Sequence, residues 1–486
     1  MRTKICVQLI VIQFAIVLVL FLSYVLEKWF SPFSENSLIF TLLLLFIWIY
    51  LSSGLIKIPF YHPYRMFLAI FFLYNIIGFV YYYLIYSDKN FFNRPFGRLV
   101  TSFYNDEIKS EVLFSLMFFL AFIHLGVLMF SYFNRKPVFS PNNSFLIEEI
   151  RVKFEKIGLY MFYIFIMPFY YYVYVVINEA YLLGGYTVYS LSNTVGTTDS
   201  NILIRISDDF CEFGYILLLS TLPKRNKILL PTLLFIFPFL LMSFYTGSRV
   251  HLIVQAMVLL TYFAITKMIS TKKIVLFISL FAFLGAFLGL SRSVNIKEFK
   301  IGKSIDKFNF EVIEDFLLSQ GASVHTLGLT ISGIKRNELR HSLKFFYSPI
   351  IERDEGYNPK KSEVDYYNLA DRLSYKYEPS FKRGGGLGSS IVAEFYVYGG
   401  VLAICFFSFL GGIFLTWLTC GLNNPFKLLL LLLLLFGIYY TPRAHPLTPF
   451  EHAKQPLFLA FLLLFIVITS RKKHQLNKDI ESITKN

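Results

Sequence analysis

Long apolar runs separated by short clusters of charge dominate the chain, and stretches such as 38–51 and 428–436 are continuous rather than alternating. A helix needs about 20 residues to cross the hydrocarbon core of a bilayer, whereas the strands of a membrane barrel alternate in shorter segments. The pattern therefore predicts an all-α, polytopic integral membrane protein. The apolar windows give about twelve transmembrane helices: residues 5–26, 37–56, 66–86, 111–133, 157–178, 202–222, 228–246, 250–268, 273–291, 389–420, 425–441 and 455–470.

One long polar segment interrupts this series. The predicted organisation is nine transmembrane helices in 1–291, a large loop in 292–388, three more helices in 389–470 and a tail in 471–486. Long loops are usually functional or structured, so we expect short amphipathic helices in this one and a binding or catalytic role. The segment 389–420 is too long for one simple crossing, which indicates a surface start or a broken helix.

The distribution of Lys and Arg predicts the orientation. Short cytoplasmic loops are enriched in these residues, and placing the N-terminus inside puts basic connections near 57–65, 135–156, 224–227 and 267–273 on the cytoplasmic side. The tail also becomes cytoplasmic, and the large loop becomes periplasmic. Long loops translocate regardless of their charge, so the basic residues of 292–388 do not contradict this orientation.

Composition excludes a soluble protein and narrows the partners. The chain is 56% hydrophobic and 16% charged, whereas soluble domains carry about a quarter charged residues. The net charge of +15 is explained by topology and by anionic membrane lipid, so no nucleic acid is expected. The four cysteines lack the spacing of metal ligands. Walker, Rossmann and HExxH motifs are missing, so we expect no metal and no cofactor.

Two clusters place an arginine at a helix end on the predicted outer face. In the turn 245–251 (YTGSRVH), Arg249 precedes a helix, where backbone N–H groups and a guanidinium could converge on an anion. Arg292 leaves a helix within 291–299 (SRSVNIKEF). The alternative for both is an interfacial anchor whose side chain extends to the lipid headgroups.

A third cluster, 384–400 (GGGLGSSIVAEFYVYGG), joins a glycine-rich stretch to a carboxylate. Arg383 precedes it, and Glu394 follows where an unpaired carboxylate would be costly. Glycines let a backbone approach a ligand closely. Glu394 is either a structural clamp paired with an arginine or a general base, and the sequence leaves both open.

Histidines supply further base candidates. Arg443 and His445 stand among prolines in 441–452 (TPRAHPLTPFEH), and His325 follows a small-residue turn in 319–328 (SQGASVHTLG). Histidine accepts protons near neutral pH. A lone histidine is more often structural, and the alternative for His325 is a helix cap.

Together these residues suit the handling of a diphosphate at a membrane surface. Arginine forks bind phosphate oxygens bidentately, and positive charge stabilises a departing diphosphate. The diphosphate-binding candidates are Arg249, Arg292, Arg443 and Arg383. The catalytic candidates are Glu394, His445 and His325.

Three motifs in this order, TGSR at 246–249, QGASVHTLG at 320–328 and GLGSSIVAEFYVYGG at 386–400, resemble the Wzy-type O-antigen polysaccharide polymerases. The resemblance implies a GT-C-like membrane glycosyltransferase at the periplasmic face of the inner membrane. Its substrates would be undecaprenyl-diphosphate-linked oligosaccharide repeat units, and its partners a flippase and a chain-length regulator. Arg249 and Glu394 stand within the matched motifs.

Two other functions remain open from the sequence. An O-antigen ligase shares the many helices, the large outer loop and the lipid-diphosphate donor. A lipid-linked oligosaccharide flippase should instead show repeated halves, short loops and charges lining a cavity at the midplane. The long loop and the outward charges favour an enzyme over a flippase.

Overall fold

The computed structural model describes residues 2–30, 33–85, 104–134, 148–182, 202–246, 250–270, 323–351, 368–378, 386–422 and 425–463, with isolated positions between 272 and 284, 314 and 321, and 361 and 381. Every regular element among them is helical. In chain order these are α1 (Arg2–Trp29), α2 (Glu35–Leu55), α3 (Pro63–Asn75), α4 (Ile77–Ile85), α5 (Asp106–Phe133), α6 (Glu148–Leu182), α7 (Ile202–Ser220), α8 (Arg225–Thr246), α9 (Val250–Ile265), α10 (Ser323–Lys335), α11 (Lys344–Ile351), α12 (Leu369–Tyr377), α13 (Ile391–Thr419), α14 (Pro425–Tyr440), a 3-10 turn (Thr441–Arg443) and α15 (Thr448–His452).

Seven of the described helices are long and apolar enough to cross a membrane, namely α1, α2, α5, α6, α8, α13 and α14. The pair α3 and α4, bent by 57° at a short break, makes an eighth if it is one span. These helices confirm the prediction of an all-α, multi-pass membrane protein. Helices suit a bilayer because each one satisfies its own backbone polar groups in lipid.

The other predicted spans are described less completely. The segment 202–222 forms α7, which carries three carboxylates, and 250–268 forms α9, which is 16 residues long. Of 455–470, an apolar helix is described over Lys454–Leu463. Most of 273–291 lies outside the described residues. The total of twelve spans and the GT-C-like arrangement stay predictions.

The centre of the bundle is the crossing of α5 and α13. Gly126 and Gly412 lie at the crossing, and a Cβ on Gly412 would overlap the carbonyl oxygen of Ile123. A Cβ on Gly126 would likewise overlap the carbonyl oxygen of Phe409. Small residues let membrane helices approach until their backbones touch, which gains van der Waals contact. The two glycines therefore fix how closely α13 lies against α5.

Helix α13 is broken one third of the way along. Gly400 has φ +68° and ψ −151°, a conformation that favours glycine, and the break frees carbonyl groups of the preceding turn. His341 Nδ1 donates to the carbonyl of Tyr396 (3.0 Å), and the Ser342 N–H donates to that of Val397 (2.9 Å). Buried carbonyls need such partners. The predicted break in 389–420 is confirmed, and the loop before α11 satisfies the freed carbonyls.

The bundle has two distinguishable ends. We call end A the end at which α1 and α3 finish and α5 and α13 begin. There Lys28 Nζ lies 2.8 Å from Glu111, and Ser390 contacts Asn75. At the opposite end B, the His62 ring contacts the hydroxyl of Thr419 at 2.9 Å, next to the ends of α2 and α13.

The predicted loop 292–388 contains α10, α11 and α12, so helices within it are confirmed where it is described. The loop is fastened at end A: Lys335 at the end of α10 lies 2.9 Å from Glu111 of α5. The segment 310–318, the predicted example of an amphipathic helix, falls almost entirely outside the described residues.

The close crossing predicts that alanine at Gly412 and alanine at its neighbour Gly411 will affect stability very differently. Gly412→Ala should force α5 and α13 apart and lower stability by about 2 kcal/mol or more. Gly411→Ala should not, because a Cβ there meets nothing within 4 Å. Thermal unfolding of the two purified variants in detergent checks this, and equal midpoints for both would contradict the crossing.

Candidate functional site

The candidate site starts with the loop that enters α13. The Leu387 N–H donates to Ser374 Oγ of α12 (2.9 Å), which fixes the loop, and Gly388 has φ +69°. Ser389 Oγ donates to Glu394 Oε1 at 2.6 Å. Glu394 is fully buried in the first turn of α13. A hydrogen bond of this length between a hydroxyl and a carboxyl oxygen is short and holds the two side chains together.

Asn75, the last residue of α3, joins this loop to the one after α14. Ser390 Oγ donates to Asn75 Oδ1 (3.0 Å), and Asn75 Nδ2 donates to the carbonyl of Pro442 (3.1 Å). Asn75 is 1% exposed. A buried amide bonded on both sides fixes the relative position of the two loops, because breaking either bond leaves a desolvated polar group.

Arg443 ends the 3-10 turn that follows α14. Its guanidinium carbon lies 5.8 Å from the centre of the Tyr74 ring, and a Cβ on Gly388 would lie 3.7 Å from its Nε. The side chain is half-buried. Across the part of the chain that the structure describes, no carboxylate forms an ion pair with Arg443. A half-buried guanidinium with an aromatic neighbour and no acidic partner is suited to bind an anion.

His445 is held on both ring nitrogens. The Leu447 N–H donates to Nδ1 (3.1 Å), so Nε2 carries the proton and donates to the carbonyl of Phe345 (2.8 Å). Tyr398 Oη lies 2.9 Å from the same Nε2. Burial lowers the pKa of His445 to about 4, although the bond to Phe345 opposes this. In this arrangement the ring connects α11 to the first half of α13 and directs no lone pair towards a substrate.

A second polar cluster at end A surrounds Glu111. Its Oε1 accepts from Tyr396 Oη (2.6 Å), and its Oε2 lies 2.8 Å from Lys28 Nζ and 2.9 Å from Lys335 Nζ. Glu107 also pairs with both lysines. The cluster ties α1, α5, α10 and α13 together, and removing one partner from such a buried group is strongly destabilising.

His325 lies on α10 and is also buried. Its ring stacks on that of Tyr104 with 5.8 Å between centres, and Tyr104 Oη donates to the His325 carbonyl (3.0 Å). Burial lowers the pKa of His325 to about 3. No hydrogen bond, ion pair or ring contact joins it to Arg443 in the described part of the chain.

The structure therefore brings Glu394, Arg443 and His445 to end A around one network. Arg249, Arg292 and Arg383 lie outside the described residues. Where the chain is described, no group of three His, Cys, Asp or Glu side chains is arranged to hold a metal ion.

Sequence reasoning missed several members of the network. Asn75 stands inside a predicted span, 66–86, and a polar residue at that depth is a recognised sign of function. Glu111 is the first residue of another predicted span, 111–133, and nothing local to it in the sequence indicates its lysine and tyrosine partners. Ser389 and Tyr396 lie inside the matched motif, but neither had an assigned role. The partner of Tyr396, Glu111, is 285 residues away, whereas Ser389 bonds to Glu394 five residues on, a contact that the motif alone does not specify.

A family model for the O-antigen polysaccharide polymerase Wzy matches residues 9–474. The chain belongs to this family. Neither the curated proteins nor the solved structures contain a significant match.

Membership of this family decides between the polymerase, ligase and flippase functions that the sequence left open. The protein is an O-antigen polymerase rather than a ligase or a flippase, and it acts on lipid-linked oligosaccharide repeat units. Membership extends over nearly the whole chain, including the N-terminal half that carried no motif. The network at end A thus belongs to a polysaccharide-synthesising membrane enzyme.

The hydrogen bonds of His445 predict a pH dependence of stability. The pKa of His445 is 6.5 in the unfolded chain and about 4 in the folded polymerase. Between these two pH values the imidazole is protonated in the unfolded chain and neutral in the folded one. Stability from His445 is therefore present above pH 6.5 and is lost progressively towards pH 4, by about 3 kcal/mol. His445→Gln removes this titration. The wild type should unfold at a higher temperature than His445→Gln at pH 7, and its advantage should shrink by pH 5 in detergent; a constant difference would contradict the arrangement.

Proposed function

We propose that the polymerase transfers a growing glycan from undecaprenyl diphosphate to a sugar hydroxyl of the next lipid-linked repeat unit, and that the reaction takes place at end A. The bond from the anomeric carbon to the diphosphate oxygen breaks, and a bond to the acceptor oxygen forms. The hydroxyl proton passes to a base, and the diphosphate leaves with the bonding electrons. The observation that carries this proposal is Arg443, a half-buried cation beside the Glu394 loop that has no carboxylate partner among the described residues.

Arg443 is proposed to grip the diphosphate. A guanidinium presents a planar fork of donors that fits phosphate oxygens, and its charge stabilises the leaving group most when negative charge has developed. The Tyr74 ring beside it limits the orientations of the fork. Arg249, Arg292 and Arg383, which lie outside the described residues, are proposed as further diphosphate ligands on the basis of sequence.

Glu394 is proposed as the base, with Ser389 as the group that delivers the proton. Ser389 Oγ already donates to Glu394, so it can accept the proton of an acceptor hydroxyl while passing its own to the carboxylate. Ser389 is 6% exposed whereas Glu394 is 0% exposed, so the hydroxyl is the more accessible of the two. His445 is proposed to position Tyr398, one turn after Glu394, and not to act as the base.

The loop helices α10, α11 and α12 are proposed to cover the reacting groups. They contact end A through Lys335, the Phe345 carbonyl and Ser374. Exclusion of water would protect the donor from hydrolysis. His325 packs within α10 and is proposed to serve this cover rather than the proton transfer.

End A is proposed to face the periplasm from a Gram-negative inner membrane, with both termini cytoplasmic. Basic residues at end B, such as Arg65 and Lys427, support this orientation because cytoplasmic loops are rich in Lys and Arg. A flippase would supply the substrate to that face. A chain-length regulator would act beside the polymerase.

If Arg443 binds the diphosphate through its guanidinium fork, a positive charge alone at this position should not support polymerisation. Arg443→Lys keeps the charge but loses the fork, so polymerisation should fall on the order of 100-fold. Arg225→Lys, at an exposed position, is the control and should be neutral. The glycan ladder made by a deletion strain that expresses each variant to wild-type level is the measurement. A full ladder from Arg443→Lys would remove Arg443 from the site.

A role of Glu394 as the base can be distinguished from a role as a structural clamp by comparing activity with stability. Glu394→Gln can still accept the hydrogen bond of Ser389 but cannot take a proton, so polymerisation should fall on the order of 100-fold or more at an unchanged unfolding temperature. Ser389→Ala should also reduce it, while Thr41→Ala, which removes an exposed hydroxyl of α2, should not. Activity that falls only in step with protein stability would mean that Glu394 is a structural clamp.

A further inference from the structure

An apolar cavity of about 250 Å³ lies beneath end A, between α5, α13 and the segment that follows α14. Phenylalanines dominate its walls, including Phe119, Phe346, Phe407 and Phe414. Ser408 and Thr441 are the hydroxyl-bearing residues of its lining. The Thr441 hydroxyl donates a hydrogen bond to the carbonyl of Gly437. An apolar cavity of this kind stays dry and takes hydrocarbon.

The cavity opens on the side of the bundle. Leu410 and Phe450 lie on its rim and are each 43% exposed on the outer surface of the helices. In a membrane this surface faces lipid, so a hydrophobic chain can enter sideways without crossing water. Apolar pockets with a few placed polar groups are the common form of a ligand site, and this one is of a size for part of a lipid.

The wall of the cavity nearest end A adjoins the proposed catalytic groups. Thr441 lies two residues before Arg443, and Ile391 lies one helical turn before Glu394. Pro446 and Leu447 follow His445 directly and also line the cavity. An amphiphile whose charged head is bound at Arg443 would therefore have its apolar tail directed here.

We propose that this cavity holds the first isoprene units of the polyprenyl chain of a lipid-linked repeat unit. The proposal rests on the lipid-diphosphate chemistry of the proposed function and adds the site of the lipid. A cavity of roughly 150 Å³ accommodates benzene, and on that scale this one takes about ten carbon atoms, or about two isoprene units. The rest of the chain extends past Leu410 and Phe450 into the bilayer.

The volume of the cavity can be reduced without disturbing the helices. Gly411 lines the cavity, and a Cβ there meets nothing within 4 Å, so Gly411→Leu fills the space and leaves the α5 contact unchanged. Leucine also favours a helix more than glycine does. Leu402→Phe, 74% exposed on the lipid side of the same helix, is the matched control.

The test is photolabelling of the purified polymerase in detergent by a polyprenyl diphosphate that carries a diazirine in its first isoprene units. In the wild type, labelled peptides should come from 405–415 and 446–450. Gly411→Leu should reduce this labelling by about tenfold or more, whereas Leu402→Phe should not. Excess undecaprenyl diphosphate should compete, and excess phosphatidylglycerol should not.

The outcomes separate the cavity from the diphosphate site. Labelling that maps elsewhere in the wild type, resists Gly411→Leu, or is competed equally by phosphatidylglycerol overturns the proposal. Labelling of the cavity that is lost in Gly411→Leu but unchanged in Arg443→Ala supports the lipid site and contradicts the role of Arg443. Loss in both variants supports both.

Discussion

The close crossing of α5 and α13 is the contact on which the site depends. Because Gly126 and Gly412 let the backbones touch, α13 is fixed against α5 below the break at Gly400, and its first half is carried to end A. Membrane helices gain little from hydrophobic burial against one another, so close packing and polar contacts hold them together. The crossing and the Asn75 bridge together fix the buried carboxylate of Glu394 relative to the loop after α14.

The polar groups at end A are expensive to bury, and the structure offsets this cost with partners from distant parts of the chain. Glu111 is paired with two lysines and a tyrosine, and Asn75 is bonded on both sides. These bonds rigidify the network. Arg443 differs, because where the chain is described it lies beside the Tyr74 ring and forms no ion pair with a carboxylate. A half-buried cation with no acidic partner among the described residues is the group suited to an anionic substrate.

Much of the fold was accessible from the sequence, because apolar windows of about 20 residues have a direct physical meaning in a bilayer. The span predicted at 111–133 is α5, and the break in 389–420 is present at Gly400. The motif 386–400 also led to Glu394. The bonds of Tyr396 to Glu111 and of Ser390 to Asn75 were not accessible, since they join positions 285 and 315 residues apart. Nor could periodicity reveal that both nitrogens of His445 are occupied, because that depends on the neighbouring backbone.

The arginines are proposed to meet on the periplasmic side, at end A, where they bind a lipid diphosphate. Replacing each in turn, as Arg249→Cys, Arg292→Cys, Arg383→Cys and Arg443→Cys, in a variant without Cys6, Cys211, Cys405 and Cys420, allows labelling of whole cells with a maleimide that passes the outer membrane but not the inner one. All four positions should be labelled in intact cells, while Lys427→Cys at end B should be labelled only after the inner membrane is opened. Labelling that divides the four positions between the two sides of the membrane would contradict it.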